Sequence, residues 1–296
     1  MTTVKQTARG PELEGLDEYV LALEVDGVAV VPPEVHGVPL PVFDELAAKV
    51  LHLAGNLTGT TFTIDGGPAD ELEFAGGRTS VLHDRGGPCT QFLLGNLASR
   101  DRIFRDLAVN PVALALVRHM IGGWATRFSS HTAFVKWHGD YGYGPGLGVH
   151  CDQQMTPRPW GTQARTANTN WLLTDYTREG GAYCYVPGSH RLDMPPDAGA
   201  AAKVVPVEAP LGSLIVFHGG VWHGAFPRLI PGMRLMVANY HRHLMITSQE
   251  DFRNSFPREL IDDCEDPEEF RRLLGVDDTY PYVVIGEPVP RVRTHR

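Results

Sequence analysis

Apolar side chains recur at helical intervals through the first 120 residues of the chain. The spacing predicts helices over residues 16–23, 42–53 and 101–120, and Pro111 should interrupt the last of them because proline lacks the backbone N–H. Residues 28–31 read Val-Ala-Val-Val and are predicted as a short strand, since two prolines stop the apolar run directly afterwards. This part of the chain is therefore expected to be mainly helical.

The pattern changes after Trp124 to short apolar segments that are separated by glycine and proline. Strands are predicted over residues 126–137, 168–174, 182–186, 214–217 and 233–240. Short strands at such intervals indicate an antiparallel sandwich or barrel. Residues 248–274 return to a helical pattern, and the segment from Ser248 to Asp251 resembles a capping box at its start.

These elements combine into one expected architecture, which is mainly β with flanking α-helices. The β core is expected at about residues 124–243, with helical elements at about 16–120 and 248–275. The chain has 296 residues, of which 43% are hydrophobic and 21% charged, which suits one globular domain over residues 1–296.

Charge and cysteine usage exclude several classes of protein. The net charge is −9 without any basic block, so neither a nucleic-acid nor an anionic-membrane partner is expected. No apolar run is as long as a membrane span, and the N-terminus lacks a signal-peptide pattern. The four cysteines form no closely spaced pair, so neither a zinc cluster nor a disulfide framework is expected and a cytoplasmic location is favoured. The oligomeric state is left open.

Candidate chemistry begins at the tripeptide His150-Cys151-Asp152. On an extended strand His150 and Asp152 would point to the same side, and Cys151 would pack on the other. His138 and Asp140 match the same pattern. That pair leads into a glycine-rich stretch, however, and is better explained as a turn at the end of a strand.

A third imidazole from a distant strand would complete a metal site, and His218 and His223 are the two candidates. If residues 228–231 connect a hairpin, His223 lies opposite Arg234, with Cβ atoms about 5 Å apart. An arginine there can form a bidentate pair with a carboxylate that lies next to the metal. This spacing favours His223, while His218 is explained as a hydrogen-bonded histidine at a strand end.

These residue types suit iron chemistry. Two imidazoles and one carboxylate leave three facial positions on a ferrous ion for a chelating co-substrate and dioxygen. A 2-oxo acid can chelate iron through its keto oxygen and C1 carboxylate, and its far carboxylate then needs a fixed cation. Arg234 can supply that cation, because its apolar neighbours favour a buried position.

With these residues in place, the chain resembles the phytanoyl-CoA dioxygenase family of iron(II)- and 2-oxoglutarate-dependent oxygenases. The order and spacing of four matches carry the resemblance: His150-Cys151-Asp152, residues 170–190 with Pro187-Gly188-Ser189-His190 at their end, residues 212–224, and Arg234 eleven residues after His223.

The resemblance implies a double-stranded β-helix (jelly-roll, cupin-like) core with iron(II) held by His150, Asp152 and His223. It implies that 2-oxoglutarate is bound by Arg234 and that its decarboxylation with O₂ is coupled to hydroxylation or a related C–H oxidation. Ala225 stands where the family often has a hydroxyl residue for the far carboxylate, so that contact is lost or comes from elsewhere. Halogenating relatives replace the carboxylate ligand by a small residue, and the presence of Asp152 argues against halogenation.

Other polar residues are candidates for binding the co-substrate. Asn168 and Asn170 lie two apart on one predicted strand and share a face, so one of them could donate to 2-oxoglutarate. Capping of a strand end explains them equally well. Thr132, on the strand before the metal segment, is a further candidate.

The expected partner is a small organic molecule, with no nucleic acid and no membrane. Met155, Trp160, Tyr183 and Phe226 are candidates for the wall of its pocket, although ordinary core packing explains each of them as well. The family name suggests an acyl-CoA, but the chain has no cluster of lysine and arginine to bind a polyphosphate. A metabolite of secondary metabolism or an amino-acid derivative is therefore an equal candidate.

Two other classes of function fit a metal-binding jelly roll. A cupin-like isomerase or hydrolase would use the metal as a Lewis acid and would turn over without O₂. A non-catalytic binding protein would form no succinate with any substrate, and would leave Arg234 without a purpose.

Overall fold

The computed structural model describes residues 13–74, 87–139 and 145–278. The helices are α1 (Asp17–Val25), α2 (Pro33–His36), α3 (Leu40–Thr58), α4 (Arg102–Ala108), α5 (Pro111–Ile121), α6 (Phe252–Ser255) and α7 (Pro267–Leu274). The strands are β1 (Val28–Val31), β2 (Phe62–Thr63), β3 (Gly67–Pro68), β4 (Glu73–Phe74), β5 (Gly87–Pro88), β6 (Gln91–Leu94), β7 (Thr126–Gly139), β8 (Thr166–Leu172), β9 (Tyr183–Tyr185), β10 (Val205–Pro206), β11 (Leu214–His218), β12 (His223–Ala225) and β13 (Arg228–His243).

Two antiparallel sheets form the core. The larger has six strands in the order β1-β11-β8-β13-β7-β6, and the smaller has three in the order β10-β9-β12. Apolar side chains from both sheets meet between them, including Leu172, Ile215 and Met236 of the larger sheet and Tyr183 of the smaller. The predicted fold class is confirmed: the chain is mainly β, with a jelly-roll core and flanking helices.

Alternation along the strands gives the larger sheet two different faces. On β11, Leu214 and Val216 face one cluster of buried residues, whereas Ile215 and Phe217 face the other. The first cluster also contains side chains of the helices α1, α3 and α5, so this is the helix-covered face. The period of two is what a strand that is buried on both faces requires.

Trp171 joins the helical layer to the sheet. It is completely buried on β8, its ring lies edge-on to His36 with the centroids 5.1 Å apart, and Phe43 of α3 is a further ring neighbour at 6.3 Å. Asn168 and Asn170 have the opposite parity on this strand and therefore face the space between the two sheets.

The predicted hairpin between His223 and Arg234 is wrong. His223 of β12 pairs with Tyr185 of β9, in the smaller sheet, while Arg234 of β13 pairs with Lys136 of β7, in the larger. The chain crosses from one sheet to the other between the two residues, so they cannot be cross-strand neighbours. They lie on opposite walls of the same interior.

The prediction of one continuous helix over residues 248–274 is also wrong, since this segment forms two separate short helices, α6 and α7. The capping box is absent, because the hydroxyl of Ser248 donates to the carbonyls of Phe128 and Ser129 instead. Asp251 caps α6 by accepting from Asn254, and Asp266 caps α7 by accepting from Glu269. Within the described ranges, no helix combines the length and the apolar character that crossing a membrane requires.

Glu250 attaches this C-terminal segment to the sheet, and its removal should destabilise the fold. Its carboxylate accepts from the backbone N–H of Asn96 at 2.7 Å and from that of His131, on β7, at 3.0 Å. Glu250→Ala leaves both donors without this partner, so we expect a loss of about 1–3 kcal/mol in the free energy of unfolding, measured by urea denaturation. Glu259→Ala is the matched control because that residue is exposed, and equal losses in both variants would contradict the assignment.

Candidate active site

Three side chains converge between the sheets. His150, Asp152 and His223 each offer one ligand atom, and these atoms all lie within 4.8 Å of one another. Two backbone hydrogen bonds hold the histidines together: His150 N–H donates to the carbonyl of His223 at 2.9 Å, and His223 N–H donates back at 2.8 Å. The group has the size and the chemistry of a metal site.

The local geometry of the His-x-Asp segment differs from the prediction. His150 forms only an isolated bridge to His223, and Asp152 begins a 3₁₀ turn over Asp152–Met155. The two side chains therefore meet because the backbone turns after His150, and the shared face of a continuous strand is not the reason. Cys151 is completely buried among apolar side chains, consistent with its predicted packing role.

Backbone carbonyls orient both imidazoles. Nδ1 of His150 lies 2.9 Å from the carbonyl of Gly148, and Nδ1 of His223 lies 3.0 Å from that of Val221. A protonated Nδ1 donates in each case and leaves Nε2 available as a ligand. The two Nε2 atoms are 3.5 Å and 3.7 Å from Oδ1 of Asp152. Gly224 allows the backbone after His223 to lie close to the backbone of Leu147, since a Cβ on residue 224 would lie 2.4 Å from the carbonyl oxygen of Leu147.

Asn168 fixes the carboxylate. Its amide Nδ2 donates to Oδ2 of Asp152 at 2.6 Å and leaves Oδ1 facing the two imidazoles. Asn168 was predicted to bind the co-substrate, but this hydrogen bond links it to the carboxylate of the metal group. The interaction could not be seen in the sequence, because it joins β8 to the turn that precedes it by 14 residues.

The electrostatics of the three groups reflect their mutual attraction. Burial would raise the pKa of Asp152, but the imidazoles and the Asn168 amide outweigh it, so the pKa is lowered and the group is a carboxylate. Burial lowers the pKa of His223 to about 4, so this ring is neutral at physiological pH, as a metal ligand must be. Burial would lower the pKa of His150 too, yet the adjacent Asp152 raises it.

Aromatic rings enclose His223 on its buried side. The ring of Tyr183 is nearly parallel to the imidazole at 5.4 Å, and that of Phe217 lies at 4.8 Å. The hydroxyl of Tyr183 is buried and has no hydrogen-bond partner in the described part of the chain. His150 is the more open ligand, with 37% of its side chain exposed, so the site opens on that side.

A second cluster, of cations, lines the same interior. Arg234 is 1% exposed, and its guanidinium donates to the hydroxyl of Tyr176 at 3.1 Å and to the side-chain oxygen of Gln91 at 3.5 Å. In the described part of the chain, Nε of Arg234 has no hydrogen-bond partner, and no carboxylate forms an ion pair with the Arg234 guanidinium. Lys136 lies beside it in register, fully buried. We call Arg234 and Lys136 the cation pair.

Sequence reasoning found Arg234 but missed its neighbours Lys136, Tyr176 and Gln91. Lys136 carried one weak signal, since it is the only charged residue in the apolar run from Ala133 to Trp137. Its importance depends on the register of β7 against β13, which the sequence does not show.

The remaining predicted residues are distributed around this interior. Thr132 and Asn170 both lie in register with Ala238 of β13, on the inner face, so they share a wall of the cavity. Met155 is 89% exposed, while Trp160 is buried in a cluster that also contains Trp222. Thr132 and Asn170 thus lie on one wall, Met155 lies at the surface and Trp160 is buried, and the roles of all four stay predictions.

Phe226 follows the metal segment and connects the two clusters. The guanidinium of Arg178 lies 4.4 Å from the centre of its ring, and its carbonyl accepts from the ammonium of Lys136 at 2.7 Å. Its backbone therefore runs from the metal group to the cation pair. Phe226 stays a predicted wall residue.

The rival histidines lie elsewhere. His138 is exposed near the end of β7, and Asp140 falls outside the described residues. Nδ1 of His218 accepts from the backbone N–H of Gly220 at 2.9 Å, and its ring packs against His190, 5.0 Å away. Neither His190 nor His218 belongs to the group of three ligand atoms.

A jelly roll whose interior carries two histidines, one carboxylate and a separate buried arginine defines a class, the metal-binding jelly-roll proteins of the oxygenase fold. The family comparison agrees with this class. The model of the phytanoyl-CoA dioxygenase (PhyH) family matches residues 90–236, and this match confirms the resemblance seen in the sequence.

A curated relative gives partial coverage only. The dioxygenase af480 of Aspergillus fumigatus is 34% identical over 137 residues, which make up 43% of this chain and 40% of that protein. The matched segment thus spans less than half the length of this relative.

Solved structures share the fold over a longer stretch. HygX from Streptomyces hygroscopicus, crystallised with nickel and 2-oxoglutarate, has a TM-score of 0.55 at 14% identity over 78% of this chain and 88% of its own. The non-haem α-ketoglutarate-dependent epimerase SnoN from nogalamycin biosynthesis has a TM-score of 0.53 at 16% identity over 78% of this chain and 84% of its own. At these identities the likeness establishes the fold alone.

Removal of the Asn168 amide should weaken metal binding. Asn168→Ala frees the Asp152 carboxylate to rotate, so we expect affinity for a divalent ion such as Co²⁺ to fall about 10- to 100-fold in an anaerobic titration. Asn170→Ala is the matched control, because Asn170 is two residues along the same face and does not contact Asp152. An Asn168→Ala variant with unchanged metal affinity would refute this role.

Proposed function

We propose that this chain is an iron(II)- and 2-oxoglutarate-dependent dioxygenase that hydroxylates, or otherwise oxidises at a C–H bond, a small organic metabolite. The family match and the fold support an iron/2-oxoglutarate oxygenase-type protein. The observation that carries the proposal is the presence of two complementary groups in one interior, a His-Asp-His set and a buried arginine that no acidic residue of the described chain neutralises.

The donor set fits a ferrous ion. Two imidazole nitrogens and one carboxylate oxygen within 4.8 Å of one another match the facial triad, which leaves open positions on the metal. When bound, iron(II) supplies dioxygen activation coupled to decarboxylation of the 2-oxo acid. His150, Asp152 and His223 would hold the ion, and the carbonyls of Gly148 and Val221 keep both imidazoles in the ligand tautomer.

Arg234 is the proposed anchor for the far carboxylate of 2-oxoglutarate. An unneutralised cation in a protein interior is costly, so its burial is expected only where an anion arrives from outside. The hydrogen bond to Tyr176 orients the guanidinium, and its Nε, which has no partner among the described residues, can donate to a ligand. This cation can also take over part of the contact that Ala225, which has no hydroxyl, does not provide.

The substrate is proposed to be a metabolite of secondary metabolism. SnoN, which shares the fold, comes from nogalamycin biosynthesis, and Asp152 favours oxygenation over halogenation. Epimerisation is the second candidate outcome, because SnoN is described as an α-ketoglutarate-dependent epimerase. Product analysis distinguishes the two outcomes: hydroxylation adds one oxygen atom to the substrate, and epimerisation leaves its mass unchanged.

Replacement of His150 tests the metal site. His150→Ala removes one of three ligands, and we expect the protein to lose stoichiometric iron(II) binding in an anaerobic titration. His138→Ala is the matched control, since His138 belongs to the rival His-x-Asp pattern and is exposed. Unchanged iron stoichiometry in His150→Ala would refute the site.

Replacement of Arg234 tests the co-substrate. Arg234→Met keeps the volume and removes the charge, so 2-oxoglutarate affinity should fall about 100-fold or more while iron binding is retained. The weak visible absorption of the anaerobic iron–2-oxoglutarate complex measures co-substrate binding, and an anaerobic iron(II) titration without 2-oxoglutarate measures metal binding. Arg271→Met, at an exposed ion pair with Asp277, is the control. In parallel, O₂ uptake that depends on 2-oxoglutarate separates an oxygenase from a Lewis-acid isomerase or hydrolase, which consumes no O₂.

A further inference from the structure

Lys136 is a fully buried lysine next to the proposed anchor Arg234. The two residues are directly opposite each other on β7 and β13, and Gln91 of β6 is the next residue across. Side chains opposite each other in adjacent strands lie on the same face, with Cβ atoms about 5 Å apart. The ammonium and the guanidinium therefore enter the interior side by side.

Among the described residues, no carboxylate lies against Lys136 as a counter-charge. Its ammonium donates to the carbonyl of Phe226 at 2.7 Å, and the charged or titratable groups that act on it are Arg234 and Arg228 of β13 and Cys184 of β9. Arg228 is itself satisfied by the carbonyls of Gly180, Pro231 and Gly232. Within the described ranges, no carboxylate forms an ion pair with Lys136 or Arg234.

A purely structural role does not account for this lysine. One hydrogen bond to a backbone carbonyl does not offset the cost of burying a lysine amine, whether charged or neutral, and an apolar side chain would fill the same space at lower cost. Phe226 links Lys136 to the metal site, since it follows the proposed ligand His223 by three residues. The cation pair lies on the inner face of the larger sheet, and Asn168 of that same face contacts the metal group, so both groups lie between the two sheets.

We propose that Lys136 is a second cationic contact for the far carboxylate of 2-oxoglutarate, and that the cation pair makes this site select 2-oxo dicarboxylic acids over 2-oxo monocarboxylic acids. This inference rests on the proposed function. A monocarboxylic 2-oxo acid such as pyruvate chelates through the same two oxygens but presents no carboxylate to the pair, so Arg234 stays uncompensated and the Lys136 amine gains no counter-charge.

The loading of the co-substrate is then linked to a proton. Burial, with Arg234 as the next cause, lowers the pKa of Lys136 to about 6, so the amine is mostly neutral at physiological pH without a ligand. An arriving carboxylate favours the charged form and raises this pKa again. Above about pH 6 the protein therefore takes up a proton, at most one per site, as 2-oxoglutarate binds; below it the amine is already charged and no uptake is expected.

Three variants test the proposal. In Lys136→Met, 2-oxoglutarate should bind about tenfold more weakly or worse, while pyruvate affinity changes less than about threefold, so the selectivity ratio falls. Lys136→Arg keeps a permanent charge and should retain selectivity without the proton uptake. Lys203→Met, at a half-exposed lysine paired with Asp197, should match the wild type in both.

Binding is measured anaerobically on the iron-loaded protein by calorimetry, at about pH 8 in two buffers of different ionisation enthalpy. The proposal is supported if the observed binding enthalpy of the wild type depends on the buffer and that of Lys136→Met does not. Unchanged selectivity in Lys136→Met, or no proton uptake by the wild type, overturns it; the second result needs no variant and holds even if Lys136→Met fails to fold. A wild-type protein that binds neither iron nor 2-oxoglutarate refutes the proposed function instead.

Discussion

The register of β13 against its two neighbours determines what faces the interior of this protein. This strand of 16 residues pairs with β7 on one side and β8 on the other. It brings Arg234 beside Lys136, and places Ala238 between Thr132 and Asn170. Since side chains alternate along a strand, a slip of one residue would turn Arg234 into the helix-covered face and bring Leu235 inside. Apolar neighbours on the outer face, Leu235 and Val237, prevent that slip because they are buried against the helices.

The interior is divided by charge in a way that a folded chain would not adopt for stability alone. Asp152 is surrounded by two imidazoles and an amide, and so is well satisfied by the protein. The cation pair is not, since its partners are a hydroxyl, an amide oxygen and a backbone carbonyl. A buried guanidinium and a buried amine that lack a counter-charge stay in place only because the surrounding structure holds them. The site is thus complementary to a molecule with one chelating end and one anionic end.

The sequence predicted the parts of this structure that depend on local pattern. Strand β1 and the break at Pro111 follow from turn and helix chemistry. The His-x-Asp pattern and the family resemblance named the three side chains that converge, whereas the hairpin that favoured His223 over His218 does not form. What failed depends on long-range pairing. His223 and Arg234 are only eleven residues apart, yet the chain changes sheets between them, and no local signal marks that change. The charged pattern after Ser248 suggested a solvated helix, but the carboxylate of Glu250 accepts a hydrogen bond from the backbone of β7 instead.

Strand β8 belongs to two layers at once. One side of it carries Trp171, wedged against the rings of His36 and Phe43, and the other carries Asn168, which holds Asp152. Asn168 and Trp171 are three positions apart on this strand, so the packing of Trp171 and the position of Asn168 are linked through one short stretch of backbone. The helical layer is therefore a mechanical support for the carboxylate that faces the proposed metal, although none of its residues touches it. Changes in the packing of His36 or Phe43 against Trp171 are therefore expected to reach Asp152 through β8.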